Sequence, residues 1–83
     1  MEKSIHSTRY AAFLKVLRQE RERAGLTQVQ LAKKIGETQT FVSKCERGER
    51  RLDVIELRTF CRAFGLSLQQ FVSALDRALG KPK

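Results

Sequence analysis

Gln39, Thr40, Ser43, Lys44 and Arg47 fall on one side of the stretch "QTFVSKCER" when its residues are spaced at the helical angle, and Val42 and Cys45 fall on the other. Such a set differs from the mixture of Glu and Lys that usually coats a solvated helix. A glutamine amide can grip adenine through two hydrogen bonds, Lys and Arg suit guanine, and a Ser or Thr hydroxyl serves several base edges. The chemistry on offer is therefore that of reading a major groove. The free N–H groups at the start of the same helix favour a phosphate. An ordinary solvated face competes with this explanation, and on composition alone the two stand even.

Other chemistries lack their residues. The lone histidine is His6, and Cys45 and Cys61 lie 16 positions apart with no CxxC spacing. No zinc set can be assembled, and both cysteines are expected as small buried hydrophobes in a reducing cytoplasm. There is no phosphate-binding glycine loop, no nucleophile with base and acid partners, and the carboxylates are scattered over helix surfaces. No catalytic residue, metal or cofactor is expected, and Ser43 is a candidate base reader instead of a nucleophile.

The whole chain points the same way. With 17 Lys and Arg against 9 Asp and Glu, its 83 residues carry a formal charge of +8. Such a surface attracts polyanions, with nucleic acid the first candidate and an anionic membrane surface the second. No apolar run approaches the ~20 residues of a spanning helix, and "MEKSIHSTRY" lacks the apolar centre of a signal peptide. A soluble, cytoplasmic protein is expected. A chain this short buries one small core, so residues 1–83 are expected to form a single domain without a separate ligand-binding or catalytic module.

Five helices are needed to position the candidate face. Tyr10, Phe13, Leu14, Leu17 and Ala24 recur at helical spacing with Arg21 on their stripe, which predicts a helix over about 8–24 closed by Gly25. Thr27 and Gln30 form a capping box for a second, over about 28–35, with Leu26 stapling onto Leu31. After Gly36 and Glu37, Thr38 caps a third, over about 39–47, that stops at Gly48. Asp53 and Glu56 open a fourth with Val54, Leu57, Cys61 and Phe64 on its apolar face and Leu52 packed on Leu57. Ser67 and Gln70 open a fifth over about 68–79, with Leu66 stapled on Phe71, before a basic, flexible tail over 80–83. With no alternating strand pattern, the class is all-α.

The short second helix, the tight turn and the third helix with a free polar side make a helix-turn-helix over about 28–47. The segment "LTQVQLAKKIGETQTFVSKCERGERRLD" resembles the helix-turn-helix of the phage repressor and Cro family, the XRE-type regulators, and the likeness continues through "IELRTFCRAFGLSLQQF". It covers roughly residues 13–72 and rests on the LTQ opening, Leu31 and Ala32, Gly36, Gln39, and the pair Glu46 and Gly48.

The resemblance implies a five-helix bundle of the lambda-repressor-like type that binds double-stranded DNA and regulates transcription, as a repressor on an inverted repeat. It places Gln28 at the DNA backbone, Gln39 at a base edge, and Thr40, Ser43 and Lys44 as further base readers. Arg47, Arg50 and Arg51 would meet phosphates, with Arg50 also able to reach a base or the minor groove, and Glu49 would soften the local charge. Family members pair an arginine of the first helix with the glutamate after the recognition face, here Arg21 and Glu46, and the helical wheel independently turns both inward. Phe41 departs from the small polar residue often found at its place. Packing over the joint of helices 2 and 3 is favoured there over a thymine methyl contact.

One such module touches few base pairs, so a two-fold homodimer is expected, with half-sites about 34 Å apart. Phe71, Leu75 and Leu79 are its candidate interface, with Leu68 and Val72 turned inward and an inward Phe71 as the alternative. Two other classes stay open: an antitoxin-like regulator governed by a protein partner, and weakly selective polyanion or RNA binding. Without an effector domain, control by protein concentration, including autoregulation, is expected.

Overall fold

The computed structural model describes residues 7–80, and among them the chain forms five helices and no strand. They are α1 (Thr8–Arg23), α2 (Gln28–Ile35), α3 (Gln39–Arg47), α4 (Val54–Phe64) and α5 (Leu68–Leu79). His6 and tail positions 81–83 lie outside the described residues.

Helix starts are set by side chains that satisfy the first free N–H groups. The Thr27 hydroxyl accepts from the Gln30 N–H at 3.1 Å while the Gln30 side chain accepts from the Thr27 N–H at 2.8 Å. Asp53 with Glu56, and Ser67 with Gln70, close the same reciprocal box on α4 and α5. Ser7 and Thr38 cap α1 and α3 from one side only. At the other end of α2, Gly36 adopts φ 74° and ψ 31°, a left-handed conformation that side-chain-bearing residues rarely take. There the Glu37 N–H reaches back to the Ala32 carbonyl at 2.9 Å, so the chain leaves α2 and enters α3 within three residues, Gly36, Glu37 and Thr38.

The core lies between α1, α4 and α5 on one side and α2 and α3 on the other. Leu17, Leu31, Val42, Cys45, Phe60, Cys61 and Phe71 are fully enclosed. Phe13 meets Phe71 edge-on at 6.0 Å between ring centres, and Phe60 meets Phe64 similarly at 6.3 Å. Both cysteines are free and buried, and burial pushes each thiol up to about 11.

Several inward assignments are corrected. Val54 is 63% exposed and lines an outer groove, while Phe60 takes the central place on α4. Val54 belongs to the first turn of its helix, where the helical angle still points inward but neighbouring elements no longer cover it. Ala24 lies just past the end of α1 and is exposed, and Val16 and Glu20 are buried instead. On α5, Val72 is exposed and Phe71 is 0% exposed, so Phe71 is a core residue that a second chain cannot touch. The two side chains are adjacent, about 100° apart on the helix, so only one can face α1 and α4.

Phe71→Ala should therefore cost about 3–5 kcal/mol as a core truncation. Urea unfolding checks this: the loss should be the same at every protein concentration, whereas a loss confined to concentrated samples would return Phe71 to an interface.

Candidate nucleic-acid interface

α3 is held from beneath by its last turn. Glu46 turns inward and meets Arg21 of α1 through two hydrogen bonds, Arg21 Nε to Oε2 at 2.6 Å and Nη2 to Oε1 at 3.1 Å. The side chains are 10% and 5% exposed, so the pair is nearly cut off from water. Every nitrogen of the guanidinium and both carboxylate oxygens have a partner. Arg21 Nη1 donates to the Leu26 carbonyl at 2.8 Å, and Glu46 Oε1 also accepts from Gln28 Nε2 at 2.9 Å.

From Gln28 the chain of bonds runs to the surface. Gln39 Nε2 donates to Gln28 Oε1 at 2.8 Å. Because an ionised carboxylate only accepts, Gln28 must turn its NH2 group to Glu46 and its carbonyl to Gln39. Gln39 must then offer its own NH2. Its carbonyl oxygen and one N–H stay open at the exposed start of α3, the acceptor and donor that an adenine edge requires. This relay carries no periodic signature, and the pairing of Gln28 with Gln39 is visible only in three dimensions.

Thr40 and Lys44 are exposed and Ser43 is half-buried along the same face. Arg47 lies flat on it: its guanidinium donates to Ser43 Oγ, and its Nε donates to Glu49 at 2.8 Å. That hydrogen bond holds the Glu49 carboxyl below its ordinary value.

Arg50, expected at a phosphate or within reach of a base, is engaged inside the protein in the free chain. Its guanidinium makes a two-pronged pair with Glu56, at 3.0 and 2.7 Å, donates to the Arg51 carbonyl at 2.9 Å, and lies 4.7 Å over the Phe41 ring. Phe41 rests in turn against Phe60, at 6.3 Å between ring centres. Arg50 thus braces the loop between α3 and α4, and Phe41 is a packing residue. The capping box of α4 was the available signal, since it fixes a carboxylate beside the loop arginines. Arg51 stays exposed and stacks at 4.7 Å on Tyr10 of α1.

The family model for Helix-turn-helix matches residues 17–71, spanning all of α2, α3 and α4. The chain belongs to this helix-turn-helix family. A solved structure titled XRE-family like protein, from Pseudomonas syringae pv. tomato str. DC3000, is 47% identical, with a TM-score of 0.80 over 93% of each chain. No curated protein matches the sequence. The helix-turn-helix protein is thus a DNA-binding transcription regulator of the XRE type. No helix among its described residues is long and apolar enough to cross a membrane.

Glu46→Ala should leave the Arg21 charge buried and unpaired, at a cost of about 3–5 kcal/mol. Chemical denaturation with an unchanged midpoint would count against the brace. The second clamp is sensitive to acid. The Arg50 guanidinium, and after it the Asp53 N–H, hold the Glu56 carboxyl below its ordinary 4.5. Because the folded value is the lower one, this contribution is full above 4.5 and is lost as pH falls through the folded value. Glu56→Gln should accordingly be less stable than wild type near neutrality. The gap between their thermal midpoints should close below pH 4.5.

Proposed function

We propose that this protein is a repressor that binds an inverted-repeat operator as a homodimer, with α3 of each protomer in the major groove. The observation that carries the reading is the relay from the buried Arg21 and Glu46 pair through Gln28 to Gln39, which sets an amide at the open end of α3 before any DNA arrives. Gln39, Thr40, Ser43 and Lys44 are the base-facing set. Gln28 and Arg51 are assigned to the backbone, where contacts fix register without reading sequence. Occupation of the operator is the form of control that the described residues can exert.

An apolar surface on α4 and α5 supports the dimer. Leu68, Val72, Leu75 and Leu79 follow one edge of α5, of which Val72 and Leu79 are exposed. Next to them a groove of about 340 Å³ is lined by Tyr10, Phe13, Val54, Leu57, Leu75 and Leu79, among others. Projecting side chains beside a groove on the same patch meet the requirement of a two-fold contact, in which one surface must complement itself. α5 packs on α1 and α4, so a partner there leaves α3 uncovered.

Selection from random DNA at physiological salt tests the reading. It should enrich an inverted repeat, bound at least ~10³-fold more tightly than random sequence. No enrichment would overturn it in favour of general polyanion binding. Leu79→Glu should keep half-site binding, lose the advantage of the full site, and sediment as a monomer. A second chain that co-purifies and covers this patch would replace the homodimer by a heteromeric regulator.

A further inference from the structure

We propose that Arg47 reads a guanine, and that Glu49 is the positioning residue that directs it there. The inference rests on the reading of α3 as a groove-binding helix. Arg47 belongs to the last turn of α3, where an extended arginine would reach for the DNA backbone. Its side chain instead folds back one turn and donates through Nη1 to Ser43 Oγ, which places the guanidinium over the middle of the polar face. Glu49 holds the opposite flank, accepting from Nε at 2.8 Å.

Two consequences follow from this grip. Nη1 keeps one N–H and Nη2 keeps both, and these form the end-on fork that matches the O6 and N7 acceptors of guanine. The second consequence concerns charge. With Glu49 in contact, the guanidinium and carboxylate together carry no net charge, so a phosphate brought to this fork would meet a carboxylate beside the arginine. A guanine edge is a neutral pair of acceptors and suffers no such repulsion. Both side chains are about half exposed, so neither is needed to fill the core. The Ser43 hydroxyl accepts from Arg47 and retains its own proton for a neighbouring acceptor.

The experiment is selection from random DNA with wild type, Arg47→Ala and Glu49→Gln, followed by titration of the selected site over a range of salt. Wild type should enrich guanine at one position of each half-site. Arg47→Ala should lose that preference, a roughly 5- to 150-fold fall in discrimination, with the salt slope unchanged. Glu49→Gln should relax the same position and steepen the salt dependence as the freed arginine turns to phosphates. Arg47→Ala that keeps every base preference but flattens the slope by about 0.9 per protomer would show a phosphate contact and overturn the proposal. Guanine preference retained in Glu49→Gln would overturn the positioning role. If wild type enriches no sequence at all, the DNA-reading function of α3 falls and this proposal with it; a guanine preference that survives in Arg47→Ala, within an otherwise enriched site, overturns the proposal alone.

Discussion

The buried pair of Arg21 and Glu46 is the contact on which the rest of the interface depends. Three helices and a loop meet at it: α1 through Arg21, the α1–α2 loop through the Leu26 carbonyl, α2 through Gln28 and α3 through Glu46 itself. Removing two charges from water is costly, and the attraction between them offsets that cost only when geometry is good and the remaining donors and acceptors are satisfied. Here the contact is two-pronged, and each guanidinium nitrogen and carboxylate oxygen has at least one partner. A hydrophobic pair of similar volume could serve stability as well. It could not choose the direction of the Gln28 amide, so what the ion pair contributes beyond cohesion is orientation.

Charge is distributed along the same logic. The chain is strongly basic, yet two of the arginines nearest α3 are matched by carboxylates, Arg47 by Glu49 and Arg50 by Glu56. A net charge of +8 still supplies long-range attraction to a polyanion. The neutralised arginines add little to that attraction, and the more exposed pair, Arg47 with Glu49, contributes little to stability. Their effect is to fix shape: Arg50 holds the α3–α4 loop against Phe41, and Arg47 is laid along α3. On the proposed reading, non-specific affinity and specific readout rest on different residues of one small surface.

The helix boundaries were legible in the sequence because each depends on a short-range chemical event. Thr27 with Gln30, Asp53 with Glu56, and Ser67 with Gln70 are reciprocal hydrogen bonds three residues apart, and every one forms at its expected start. Faces were less legible. A helical wheel gives the direction of a side chain but not how far the neighbouring helix extends over it, which is why Val54 and Val72 emerge exposed while Phe71 is enclosed. Least legible were pairings between polar side chains distant in sequence or separated by a loop. Gln28 and Gln39, or Arg50 and Glu56, become partners only once the turns at Gly36 and Gly48 have set the helices in place.

Arrangement of the reading face before binding has an energetic consequence. A glutamine or arginine that must be ordered on association gives up rotamer freedom, about 0.5–1.5 kcal/mol for each side chain immobilised. Gln28, Gln39, Arg47 and Arg50 are already tied in the free protein. The entropy is lost on folding, where core burial offsets it, and less remains to be lost on DNA. The same restraint sharpens discrimination. An amide free to rotate can exchange donor for acceptor and accommodate a second base, whereas one fixed by a carboxylate two residues away along the relay presents a single pattern. On the proposed reading, the buried charge that complicates the core thereby limits which base edge the surface will accept.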